Sequence, residues 1–213
     1  MNCYLKHWNA REAKKDGKPL TLVDRIIMLR SDLTHTEWQF SERYGGVSWS
    51  FTLADGAKGC RFKMIKYSHP KRWVTDEIPL TDEEEDKIWV EACRLADLSV
   101  CTRSTVQYLA LINEIVQGPL HARYDLPGIL THATKKANTR WLTVLRWGLW
   151  WWTKFIKPDP EKMWCSESAA HLEQLVYDDM GPKPDTLDPD ELHKLNCKYF
   201  AKRIVQKRVG DKD

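Results

Sequence analysis

The sequence has no CxxC pair, no glycine-rich phosphate loop, no internal repeat and no low-complexity tract. Its six cysteines, at 3, 60, 93, 101, 165 and 197, are too few and too scattered for a disulfide scaffold, so reduced thiols are expected. Charge of one sign is also lacking. The net charge is +3 and the basic residues form no stripe, so nucleic-acid binding is not expected. The local basic run Lys202 to Arg208 reads as a solvated helix end or tail. Met1 to Lys15 is polar, without the apolar stretch of a secretory signal. The most apolar window, Trp141 to Ile156, is broken by Arg146 and Lys154 and falls short of the about 20 apolar residues needed to span a bilayer. No transmembrane segment is expected. Synthesis and folding in a cytoplasm follow, unless something else carries the protein out.

What is present suits one globular domain. A 42% hydrophobic content over 213 residues supplies a sizeable core, and eleven tryptophans leave aromatic surface for a groove as well. The first 20 residues are polar and carry no clear assignment. Leu22 to Arg30 is apolar and β-branched, which suggests a buried strand. Thr34 to Phe40 alternates, with Thr36, Trp38 and Phe40 on one face and His35, Glu37 and Gln39 on the other. Val47 to Leu53 alternates after the Gly45-Gly46 turn, and Arg61 to Tyr67 and Trp73 to Leu80 complete an antiparallel meander or barrel of about five strands.

The pattern then turns helical. Thr81-Asp82-Glu83-Glu84 is a capping box, and Ile88, Ala92, Leu95 and Ala96 form one stripe behind it. Further helices are expected near Thr105 to Gln117, Tyr124 to Ala133, Cys165 to Met180 and from Asp188-Pro189 to about Val205. Sheet first and helices after define an α+β class. A polar row of His35, Glu37, Gln39, Ser48 and Ser50 on a sheet to be covered by helices marks a site or an open face.

A thiol attacks as thiolate, and a helix N-terminus favours that anion. Cys165, in Trp164-Cys165-Ser166-Glu167, is the cysteine that stands at an expected helix start. His35 is the best imidazole to pair with it, with Glu37, Ser48 or Ser50 to orient the ring. Composition and spacing leave this open, since a helix-start cysteine is usually a core residue and a strand histidine is usually solvated.

Five segments in order resemble the circularly permuted NlpC-type papain-like cysteine hydrolases, the YiiX-like group. They are Leu33-Thr34-His35-Thr36-Glu37, Ser48-Trp49-Ser50, Tyr124-Asp125-Leu126-Pro127-Gly128, Trp164-Cys165-Ser166-Glu167 and Pro189-Asp190-Glu191-Leu192. Histidine before cysteine is the mark of the permutation. The similarity covers about 22–195. It implies a circularly permuted papain-like fold, with Cys165 as nucleophile, His35 as base and Glu37 as the acidic neighbour. It also implies that Tyr124 lines the cleft and helps hold the oxyanion, beside the backbone N–H of Cys165. Ser48, Ser50 and Trp164 stand at substrate-binding positions. The implied chemistry is cleavage of amide bonds in peptides such as peptidoglycan stem peptides, in a bacterial or bacteriophage setting, the host cytoplasm or the virion, without a cofactor. A lipid or acyl-ester hydrolase or acyltransferase would use the same residues, and a non-catalytic binding module on the same fold is the contrasting class.

The expected organisation is a single domain, 1–213, with a core of about 21–195. A helical insertion at about 99–120 and a tryptophan-rich segment at 138–156 depart from the family pattern, and 196–213 is a basic extension. Trp147 to Trp152 offers a membrane-surface or glycan contact, against the plainer reading of a helix packed on the sheet. Cys3-x-x-x-His7 and His193-x-x-x-Cys197 could hold zinc were both segments helical and adjacent. Their loose spacing favours ordinary surface and core roles, and no metal is expected.

Overall fold

The computed structural model describes residues 2–28, 31–52, 59–96, 98, 104 and 163–210, the side chains of the last helix only through 201. Tyr124 with its motif, the tryptophan-rich segment and, apart from Ser104, the expected insertion at 99–120 therefore lie outside the described residues.

Alternation of side chains across a pleat builds five strands. They are β1 (Asn2–Asn9), β2 (Leu33–Gln39), β3 (Ser48–Thr52), β4 (Gly59–Lys63) and β5 (Trp73–Pro79). They form one open antiparallel sheet in the order β4-β3-β2-β1-β5, a four-strand meander with β5 added beside β1. Two short helices, α1 (Ala10–Lys15) and α2 (Leu22–Ile27), link β1 to β2. Among the described residues three longer ones follow the sheet: α3 (Asp82–Leu95), α4 (Cys165–Gln174) and α5 (Pro189–Gly210). The class is α+β. No helix among the described residues is long and apolar enough to cross a membrane.

Two local readings are corrected. Leu22 to Arg30 does not start the sheet, because Leu22–Ile27 is helical. Thr21 and Asp24 form a capping box there, each side chain closing on the other's backbone N–H at 3.0 Å. That reciprocal cap outweighs the β preference of Val23, Ile26 and Ile27. The strand that replaces it is β1, which pairs with both β2 and β5.

One face of the sheet carries the core. Leu5, Trp38, Phe40, Trp49, Phe51, Phe62 and Ile78 are all at most 1% exposed and pack with Ile88, Trp89 and Ala92 of α3 and Ala169, Ala170 and Leu172 of α4. Trp89 meets Phe40 edge-on at 5.0 Å, and the Trp49 indole N–H donates to the Ala92 carbonyl at 3.2 Å. Such aromatic contacts contribute about 0.5–1.5 kcal/mol each beyond area burial. The stripe expected on α3 is present, and Thr81 caps it through Glu84 as the capping box requires.

The opposite face positions the chemistry. Cross-strand pairing sets Trp8 against His35 and Lys6 against Glu37. β2 and β3 pair only at Trp38↔Trp49 and Gln39↔Ser48, so the His35 end of β2 has no ladder to β3. Helix α4 packs against both strands.

Candidate active site

Local structure holds Cys165 at the first position of α4. Trp164 is extended (φ −104°, ψ 175°), and its backbone N–H donates to Glu167 Oε2 at 3.3 Å. The Trp164 indole N–H and the Ser166 hydroxyl both donate to the Leu187 carbonyl, at 3.2 and 2.7 Å. Trp164 also packs on Ile27 and Val23. The small residues Ala169 and Ala170 let α4 lie close on the sheet. A helix leaves its first amides unpaired, so the Cys165 N–H is one of the free donors at this end.

The structure brings His35, Glu37 and Cys165 together. His35 Nε2 lies 2.8 Å from Glu37 Oε1, a reach between residues two apart on one strand face. The Cys165 side chain lies close enough to the imidazole to favour its charged form. Burial pulls the His35 pKa down, but Cys165 and Glu37 together outweigh it and raise it to about 10. Both neighbours therefore favour the cationic ring.

Glu37 is in turn held ionised. Burial pushes its pKa up, yet the Arg61 guanidinium, the His35 ring and the Ser50 hydroxyl bring it down to about 2. Arg61 Nη2 donates to Glu37 Oε1 at 2.9 Å, with both side chains at most 3% exposed. Ser50 faces Glu37 without the alignment of a full hydrogen bond. Its Oγ, Glu37 Oε2, and Arg61 Nε and Nη1 are buried with no hydrogen-bond partner. Ser50 and Arg61 are themselves cross-strand partners.

Ser48 is further along the same face and bonds the Tyr67 hydroxyl at 2.6 Å. Tyr67 stands edge-on to Trp73, which stands edge-on to Trp8, with Lys6 over the Tyr67 ring. An aromatic wall thus borders the polar row. Exposure is uneven: the His35 side chain is 18% exposed and Cys165 only 2%. The sulfur lies under the surface against an imidazole, not in a purely apolar interior.

The sequence reading did not single out Arg61 or Tyr67. Arg61 was findable, because Cys60 and Phe62 point to the core and alternation puts Arg61 on the His35 face. The other described cysteines sit differently. Cys3 donates to Glu85 at 3.1 Å, Cys60 is a core residue whose pKa burial pushes well up, and Cys197 lies within α5. No protein-family model, curated protein or solved structure matches the chain.

Proposed function

We propose that the protein is a cysteine-nucleophile hydrolase of the circularly permuted papain-like type, cleaving amide bonds through an acyl-enzyme. One observation carries the reading: Cys165, at a helix N-terminus, acts on an imidazole that Glu37 holds at Nε2 and whose pKa is raised to about 10. A thiolate beside an imidazolium is the attacking form of such a nucleophile. Cys165 Sγ attacks the carbonyl carbon, and the backbone N–H of Cys165 donates to the developing oxyanion. His35 gives its proton to the departing amine, leaving a thioester. Water then adds as His35 takes its proton, the C–S bond breaks, and the acid is released with the thiolate restored. Glu37 keeps the ring oriented throughout, and Arg61 keeps Glu37 ionised. The substrate class, by resemblance, is a peptide of the peptidoglycan stem type.

The test is labelling with iodoacetamide at mildly acidic pH, mapped by mass spectrometry. Cys165 should be modified ahead of the more exposed Cys197, and His35→Ala should abolish the preference. Slow, uniform labelling of every accessible cysteine would end the reading. Incubation of the active protein with cell-wall peptides and with phospholipid then separates amide from acyl-ester chemistry, and Cys165→Ala should be inert on either.

A further inference from the structure

A second cluster lies on the core face of the sheet, directly behind the strand that carries His35. His7 on β1 pairs with Thr36 on β2, the residue next to His35. His7 Nε2 is 3.0 Å from Asp76 Oδ2 on β5, and His193 Nδ1 on α5 is 2.6 Å from Asp76 Oδ1. The three ligand atoms all lie within 4.8 Å of one another. Cys197 is one helical turn beyond His193, with Sγ 3.8 Å from His193 Nδ1. Three side chains from three separate elements thus converge, and the Cys197 sulfur stands beside the His193 ring, 3.8 Å from Nδ1 and 3.9 Å from Nε2.

We propose that His7, Asp76 and His193 form a binding site for a divalent transition-metal ion of the zinc class, with Cys197 as fourth ligand. Tetrahedral coordination at ordinary Zn–N and Zn–S lengths puts neighbouring donor atoms about 3.3–3.6 Å apart. The contacts of 3.0 and 2.6 Å are slightly shorter than that, so small adjustments of His7, Asp76 and His193 admit an ion, and Cys197 must turn from the His193 ring toward it. The set of two imidazoles, one carboxylate and one thiolate suits zinc or cobalt better than calcium or magnesium, which take oxygen ligands.

The surroundings supply what a metal-bound histidine needs. His7 Nδ1 is 3.0 Å from Thr36 Oγ1, which can accept from Nδ1–H when Nε2 turns its lone pair to the ion. Asn196 Nδ2 approaches Asp76 Oδ2 at 3.5 Å while donating to Glu173 Oε1 at 2.9 Å. An entry path exists as well: His7 is fully buried, but the His193 side chain is 26% exposed and Cys197 is exposed. The ion would take the place of the protons between Asp76 and the two rings and pin α5 to the β1–β5 side of the sheet. The role is structural, since four protein ligands leave no open position.

The test uses the untagged full chain, stripped with chelator and titrated with cobalt(II). One equivalent should bind with the absorption of a tetrahedral site and a thiolate-to-cobalt charge-transfer band, and zinc(II) should displace it. His193→Ala, on a partly exposed helix position, should weaken cobalt binding at least tenfold while circular dichroism stays unchanged. Cys197→Ser should keep the bound cobalt but lose the charge-transfer band. No saturable spectrum, or one that His193→Ala leaves intact, overturns the site. A spectrum that Cys197→Ser leaves unchanged overturns the four-ligand assignment. None of these readouts depends on hydrolysis.

Discussion

The His35 imidazole stands between two groups that both favour its protonated form, and only desolvation opposes them. With a pKa raised to about 10, the ring stays cationic through neutral pH. The sign for stability follows. The folded pKa is above the ordinary 6.5, so this contribution is full below about pH 6.5 and is lost as pH rises through about 10. Catalysis should share that upper limit, because an unprotonated ring cannot give a proton to the leaving amine. Glu37→Gln keeps a hydrogen-bonding side chain but removes the charge. An NMR titration of the His35 ring protons should then show the midpoint lower by about one to three pH units, and the alkaline limb of activity should move with it. A midpoint unmoved by Glu37→Gln would mean that Glu37 does not support the ring. Residue types and spacing left this trio open, and its roles came from the resemblance of residues 33–37 and 164–167 to the papain-like hydrolases. Which of Glu37, Ser48 and Ser50 orients the ring was not legible either, because the Nε2–Oε1 contact of 2.8 Å depends on rotamers the sequence does not encode.

At the scale of elements, the open end of the β2–β3 pair is the feature that admits α4. Its ladder stops after two residue pairs, while β3 and β4 stay paired from Ser48↔Lys63 to Thr52↔Gly59. The Arg61–Glu37 ion pair then ties β4 to β2 across β3, where backbone hydrogen bonds no longer do so. Removing the guanidinium leaves a buried carboxylate without its cation. Arg61→Met should therefore cost about 3–5 kcal/mol in denaturant unfolding. The double variant Arg61→Met with Glu37→Gln should recover a large part of it, since the amide needs no countercharge. Equal losses in the single and double variants would show that Arg61 acts by packing alone. The elements themselves differ in legibility. β2, β3, β5 and α3 follow from alternation and a capping box. β1 escaped notice because its inward residues, Cys3, Leu5 and His7, include only one strongly apolar side chain. Leu22–Ile27 misled because β-branched residues suggested a strand where the cap dictates a helix.

Taken whole, the protein sets a polar seam beside its aromatic core. His7, Asp76, Glu173 and Asn196 are buried where α4 and α5 meet the sheet. Nothing in the periodicity of their segments announces them, since each occupies a position where an apolar residue would serve. Glu173 is the most exposed to argument. Burial, and then the nearby Asp76 charge, push its pKa well above 4.5 against the opposing hydrogen bond from Asn196, a balance that favours the protonated form in the folded protein. The unfolded chain releases that proton above about pH 4.5, and folding stability from this group falls as pH rises past that point. Glu173→Gln removes the linkage. The amide can keep the 2.9 Å bond from Asn196 through its oxygen, and its NH2 takes the place of Oε2, which has no hydrogen-bond partner. The variant should therefore melt higher than the parent at pH 7, with the difference shrinking toward zero at pH 4, where the carboxyl is largely protonated in both states. A variant that is less stable at pH 7, or whose advantage is the same at both pH values, would place an ionised carboxylate at 173. The seam would then be held by charge rather than by neutral hydrogen bonds.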